Sequence, residues 1–197
     1  MEMTGEQLIP ASQADTWTAL NDPEVLKGCV PGCEAIDPVG ENEYSVQMTA
    51  RVGPVSAKFK GKLTLSEIKP PHSYSIAFEG QGGVAGFAKG GAQVSLAPEG
   101  HDTRLSYKVK ANVGGKLAQI GSRLVDAAAN KVANDFFNAF NARMAAQHGA
   151  HAVEAHADHR PEPVPRDPDL PDVSEGSLSF FAAGALVVFV VALISLF

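Results

Sequence analysis

The sequence predicts an α+β fold in which a curved antiparallel sheet wraps a long C-terminal helix around an internal apolar cavity, followed by a C-terminal transmembrane helix. Three observations predict it. Apolar residues alternate with polar ones in several runs between residues 44 and 111. One long helical pattern, from about 115 to 144, closes the folded part. The last twenty residues, Leu178 to Phe197, carry no charged side chain, and at about 1.5 Å per residue they make about 30 Å of helix, the thickness of a bilayer core.

A first strand is expected near Glu2–Ile9. Ser12 then caps a short helix running through Trp17 to Leu20, and Asp22-Pro23 opens a second, with Asp as the cap and Pro in the first turn. Tyr44, Val46, Met48, Ala50 and Val52 share one strand face. Val55, Ala57, Phe59, Gly61, Leu63 and Leu65 share another, with Lys58, Lys60 and Lys62 on the reverse. Tyr74, Ile76 and Phe78, then Ala92, Val94 and Leu96, then Leu105, Tyr107, Val109 and Ala111 continue the alternation. Gly-Pro, Pro-Pro and Pro-Glu-Gly breaks between them read as a meander of about six strands with one wet face. In the long helix Leu117, Ile120, Gly121, Leu124, Ala128, Val132, Phe136, Phe140 and Met144 form a stripe that winds around the axis. Gly121 and Ala127-Ala128-Ala129 put small side chains at its middle, which leaves volume for a cavity. Tight helix–sheet packing is the competing account of the same residues.

Three segments follow: a ligand-binding domain over 1–147, a linker over 148–177 and a membrane anchor over 178–197. The linker carries Pro161, Pro163, Pro165, Pro168 and Pro171 among acidic residues and cannot bury enough apolar surface to fold. The net charge of −6 lies mostly there, so the domain is close to neutral and gives no reason to expect nucleic acid. The start lacks the basic and apolar regions of a signal peptide, and Cys29 and Cys33 do not make a disulfide framework. The expectation is a single-pass protein of the inner (cytoplasmic) membrane with its N-terminal domain in the cytoplasm.

Other clusters favour plain readings. Gly80–Gly91 holds six glycines in twelve residues, and Gly80-x-Gly82-x-x-Ala85 formally matches a dinucleotide fingerprint. More glycine and a strand follow instead of a helix, so a strand bend or a hairpin over a cavity mouth fits better. Cys29-Val-Pro-Gly-Cys33 lacks the second ligand pair of a structural zinc site and reads as a Pro-Gly turn with two small thiols. His148, His151, His156 and His159 read as solvated. The lysines of the second run, extended by Arg104, Lys108 and Lys110, can form a basic patch or a solvated face. No Ser–His–Asp pattern or carboxylate pair falls on the inward positions, so no catalytic residue, metal or covalently bound cofactor is expected, and the chain reads as a binding protein rather than an enzyme.

Thr18-Ala-Leu-Asn-Asp-Pro-Glu-Val-Leu-Lys-Gly-Cys-Val-Pro-Gly-Cys33 resembles the signature of the carbon monoxide dehydrogenase G-subunit (CoxG) family. Gly53-Pro-Val-Ser-Ala-Lys-Phe-Lys-Gly61, the Gly80–Gly91 stretch and Gly114-Gly-Lys-Leu-Ala-Gln-Ile-Gly-Ser-Arg-Leu124 add to the resemblance, which spans most of 1–145. It implies the helix-grip fold of START and Bet v 1-like domains. It also implies a role beside a molybdenum-containing hydroxylase of the carbon monoxide dehydrogenase type, in membrane attachment and quinone handling. The expected function is therefore a tethered accessory protein that takes a quinone or similar apolar lipid into its cavity. Phe59, Phe78, Phe87, Leu117, Gly121, Leu124 and Ala128 are the expected lining. The alternative is a membrane anchor or assembly factor without a ligand.

Overall fold

Seven antiparallel strands in the order β1-β7-β6-β5-β4-β3-β2 form one sheet in the computed structural model, which describes residues 1–52 and 55–148. The chain runs β1 (Glu2–Ile9), α1 (Gln13–Leu20), α2 (Pro23–Cys29), β2 (Cys33–Gly40), β3 (Glu43–Val52), β4 (Val55–Lys69), β5 (Ser73–Gln81), β6 (Phe87–Glu99) and β7 (Asp102–Gly114). A single 3-10 turn, Gly83–Ala85, joins β5 to β6, and α3 (Lys116–Gln119) and α4 (Ser122–His148) close the domain. This curved sheet with a long C-terminal helix is a helix-grip fold.

The local signals act as read. Ser12 Oγ accepts the Asp15 backbone N–H at 3.2 Å, and Asp22 accepts from the Glu24 and Val25 N–H groups at 2.9 and 3.3 Å with Pro23 in the first turn. Each alternating run turns its apolar set inward. Tyr44, Val46, Met48, Phe59, Leu63, Leu65, Tyr74, Ile76, Phe78, Val94, Leu96, Leu105 and Val109 are all buried. The N-terminal strand is held on the far side of the sheet by pairing with β7, from Glu2↔Lys110 to Ile9↔Thr103.

The long helix departs from expectation. Gly121 has φ +95° and Gly115 φ +83°, left-handed values that only glycine adopts without strain. Gly115 stands before the one-turn α3, and Gly121 cuts the predicted helix 115–144 between α3 and the 27-residue α4. The break resets the helical phase. The buried line on α4 is Val125, Ala129, Ala133, Phe136, Phe137, Phe140 and Met144, one residue out of step with the predicted stripe at its start and in step at its end. Gly121 is thus an exposed joint with open space around its Cα, not a gap on a helix face.

Among the described residues no helix is long and apolar enough to cross a membrane. The expected linker, His151, His156, His159 and the apolar segment 178–197 lie outside the described residues.

Candidate functional site

The inner face of the sheet falls into transverse rows set by strand register. One row reads Val46, Gly61, Gly80, Ala88 and Val113 across β3, β4, β5, β6 and β7. It contains no side chain larger than valine and forms a trough. The next row reads Tyr44, Leu63, Phe78, Gly90 and Ala111. A glycine stands opposite Phe78, and a Cβ at Gly90 would collide with that ring and with the Lys110 carbonyl. Phe59 treats Gly82 the same way, its ring lying where a Cβ would stand. Both rings therefore lie down along the sheet instead of standing up toward α4.

Above the trough α4 presents Val125 and Ala129, both buried. At the β7 end of this row, beside Val113, lies a cleft of about 390 Å³ lined by Met1, Glu2, Ala111, Asn112, Val113, Ala118, Ser122, Val125 and Asp126. That volume lies within the ~300–1,000 Å³ usual for small-molecule sites. Its lining mixes the apolar Met1, Ala111, Val113, Ala118 and Val125 with the polar Glu2, Asn112, Ser122 and Asp126. This arrangement suits a molecule with an apolar body and a polar end.

At the other end of α4 the space is filled. Phe136 packs on Phe137 edge-on at 5.2 Å and on Phe140 face-on at 5.5 Å. Phe137 stacks on Tyr107 at 5.6 Å, and Trp17 meets Tyr74 edge-on at 5.5 Å. Tyr107 fits because it stands opposite Gly5, where a Cβ would meet its ring. The Tyr74 hydroxyl is buried without a protein partner among the described residues, and burial drives its pKa upward.

Of the seven expected lining residues, Phe59, Phe78 and Leu117 are buried and Ala128 is half-buried against the core. The other three face solvent: Phe87 is 51% exposed and Leu124 50% exposed, and Gly121 sits at the joint. Phe87 differs because parity decides. Ala88, Ala92, Val94 and Leu96 point inward, so Phe87, one residue out of phase, lies on the outer face over Gly114. Leu124 differs because of the phase reset at Gly121. Sequence reasoning passed over Val113, Ser122, Val125, Asp126, Gly80 and Ala88. Strand parity carried the signal for Ala88 and Val113, whereas nothing local marked Val125 over Leu124.

The remaining clusters resolve simply. The glycine-rich stretch is a strand end, a 3-10 turn and a strand start. Gly86 (φ +124°) and Gly115 lie backbone on backbone, so a Cβ on either would clash. Cys29 is buried, Cys33 half-buried, and both are free thiols. Burial raises the Cys29 pKa and pushes Cys33 up to about 11, so neither is a poised thiolate. Between them Gly32 (φ +73°) turns the chain, and a Cβ there would hit the Thr49 carbonyl. No group of three His, Cys, Asp or Glu suited to a metal occurs among the described residues. The lysine patch is largely neutralised: Lys58 pairs with Glu34 at 3.0 Å, Lys62 with Glu43 at 2.9 Å and Lys110 with Glu2 at 2.9 Å. Arg104 bridges Glu6 and Glu99 at 3.3 and 2.6 Å.

Solved structures share this architecture. A conserved protein from Geobacillus kaustophilus is 29% identical with a TM-score of 0.71, over 75% of this chain and 97% of its own. A Thermus thermophilus protein at 16% identity has a TM-score of 0.54 over 75% of this chain and 99% of its own. One from Arthrobacter aurescens, at 17% and 0.53, covers 81% of this chain and 93% of its own. The last two show the fold alone. No curated protein matches the chain. Residues 5–145 match the family model for the carbon monoxide dehydrogenase G subunit (CoxG).

Proposed function

Because the chain belongs to the CoxG family, that of the carbon monoxide dehydrogenase G subunit, whose members are accessory subunits, we propose that it is a membrane-tethered carrier for an apolar lipid such as a quinone. It serves a molybdenum hydroxylase of the carbon monoxide dehydrogenase type. The observation that supports this reading is the row of small residues Gly61, Gly80, Ala88 and Val113 across the inner face of the sheet, with the 390 Å³ cleft beside Val113 and Val125 at its β7 end.

Apolar walls replace bilayer for the lipid tail. Both environments stabilise buried apolar surface by about 25 cal/mol per Å², so transfer between them is near neutral and reversible. Phe59 and Phe78, lying over glycines in the rows beside that of Gly61 and Gly80, are the rings that would move to admit a guest. In the cleft, Ser122 is a hydroxyl donor for a carbonyl head group. The segment 178–197, with its uncharged apolar run, serves as the tether in the inner membrane and raises the effective concentration of the domain at bilayer and enzyme. The remaining members of the expected lining, Leu117 and Ala128, belong to the core, Leu117 within it and Ala128 packed against it.

Residues 1–148, purified from a bacterial host and extracted with organic solvent, should yield a near-stoichiometric isoprenoid lipid by mass spectrometry. Ala129→Leu, which grows into the space above the trough, should lose it while folding normally. An empty extract from folded protein supports the second reading, a membrane anchor or assembly factor without ligand. That reading draws on the same Phe59 and Phe78 rings, which already occupy part of the space.

A further inference from the structure

The end of the domain that holds the cleft also gathers exposed apolar side chains and unpaired cations. Val84, at the tip of the 3-10 turn, is 84% exposed, and Phe87, three residues on, exposes half its surface. Around them stand Lys60, whose pairing partner Gln81 ends β5, Lys89, two residues past Phe87, and Lys116, two past the Gly114 that Phe87 covers. Arg51 is the next-to-last residue of β3 and Arg123 the second of α4. None of these five is in an ion pair among those formed by the described residues. The acids nearby are fewer: Glu79 and Asp126 face them, while Glu34 and Glu2 are already held by Lys58 and Lys110. The opposite end is the more acidic: Asp15, Asp22, Glu24, Asp37, Glu41 and Asp102 stand there against Lys27 and Lys69, with Glu6 and Glu99 held by Arg104. The molecule is thus electrically polar along α4.

We propose that the turn 82–86 and the strand and helix ends around it form a membrane-contact edge, which lays Val84 and Phe87 into the interface of an anionic bilayer with Arg51, Lys60, Lys89, Lys116 and Arg123 on the headgroups. Apolar tips with a cationic surround match such a surface in both respects. The length of chain beyond α4 agrees. His148 ends α4 at the acidic end, where Asn141 Nδ2 donates to the Leu8 carbonyl at 3.3 Å. A tether attached there must reach back along the helix, about 40 Å for 27 residues, to bring the opposite end to the bilayer. The 29 residues from 149 to 177 have an r.m.s. span of about 30 Å as a coil and a limit near 100 Å fully extended. A linker of a few residues would hold the acidic end down instead. This inference rests on the tethered-carrier reading for its geometry and adds which face meets the lipid.

The test uses full-length protein with Val84→Trp. Trp17, buried in α1 at the far end, serves as an internal reference. Vesicles with brominated acyl chains are prepared from phosphatidylcholine alone or with phosphatidylglycerol. Expected are quenching and a blue shift of the introduced indole's emission in anionic vesicles, reversal at molar salt, and loss of most of the quenching when the five cations are changed to Gln. Trp17 emission stays unchanged throughout. No quenching of the introduced indole in anionic vesicles, or equal quenching in phosphatidylcholine alone, overturns the proposal. So does an indole at the turn that ignores lipid and responds only to added hydroxylase, an outcome that makes the edge a protein-docking surface. Flotation of the chain with vesicles reports the tether separately, and added vesicles read the edge whether or not the tether holds.

Discussion

Near the C-terminus of α4, Trp17, Tyr74, Tyr107, Phe136, Phe137 and Phe140 fill the space between helix and sheet, whereas near its N-terminus the same space is bordered by Gly61, Gly80, Ala88, Val125 and Ala129. Both halves use the same seven strands and the same helix. The difference lies only in side-chain size, row by row across the register. It teaches that one half anchors the helix through aromatic packing while the other borders it with small side chains, so under the carrier reading stability and capacity fall to separate residues.

The largest effect expected from this division is in the filled half. Phe140→Ala, at a fully buried ring, should destabilise by about 3–5 kcal/mol in urea denaturation, and a value under about 1 kcal/mol would break the comparison. In the other half, Gly82→Ala forces the Phe59 ring off its resting place and should cost about 1–3 kcal/mol. The double variant with Phe59→Leu should recover most of that loss, because the collision is with the ring rather than with backbone. Tyr74→Phe removes a buried hydroxyl with no protein partner among the described residues and should leave stability unchanged or raise it by about 1 kcal/mol. Ala129→Leu should cost less than about 1 kcal/mol if the space above the trough is held in reserve; a loss as large as that of Gly82→Ala means that the half is already full.

The smallest effect concerns the corner between α2 and β2. Burial pushes Cys33 from its ordinary 9.0 up to about 11, raises Cys29, and pushes Tyr44 up to about 12. A two-unit rise lowers the Cys33 thiolate fraction ~100-fold, so a disulfide reagent at pH 8 should modify folded protein ~100-fold more slowly than urea-unfolded protein. The unfolded chain releases these protons first. The associated stability is intact below about pH 9 and is lost as pH rises toward 11. The urea midpoint should hold steady up to about pH 8.5 and fall from there, with a shallower fall in Cys33→Ser.

Much of this fold was legible. The inward sets of β3 through β7 follow from period-two alternation because each strand has one wet face, and the caps at Ser12 and Asp22 follow from side-chain chemistry alone. β2 was harder to place: only Ile36 of its eight residues is buried, so no alternation marks this edge strand. The helix boundary failed for a different reason. A glycine in a helical pattern reads equally as a small helical residue or as a left-handed joint, and Gly121 takes the second form, with φ +95°. That ambiguity displaced Gly121 and Leu124 from the expected lining and hid Val125. The trough was illegible because it depends on which residues stand side by side across five strands, and register is a property of pairs.

The pairing of β1 with β7 has a consequence for synthesis. β1 leaves the ribosome well before β7, and the partner for Glu2–Ile9 is not made until about a hundred residues later, roughly 5–20 s at ordinary elongation rates. Through that interval an eight-residue strand waits with its backbone unpaired, guarded by the outward charges of Glu2 and Glu6. A nascent chain cut short before Asp102 therefore leaves this edge permanently open.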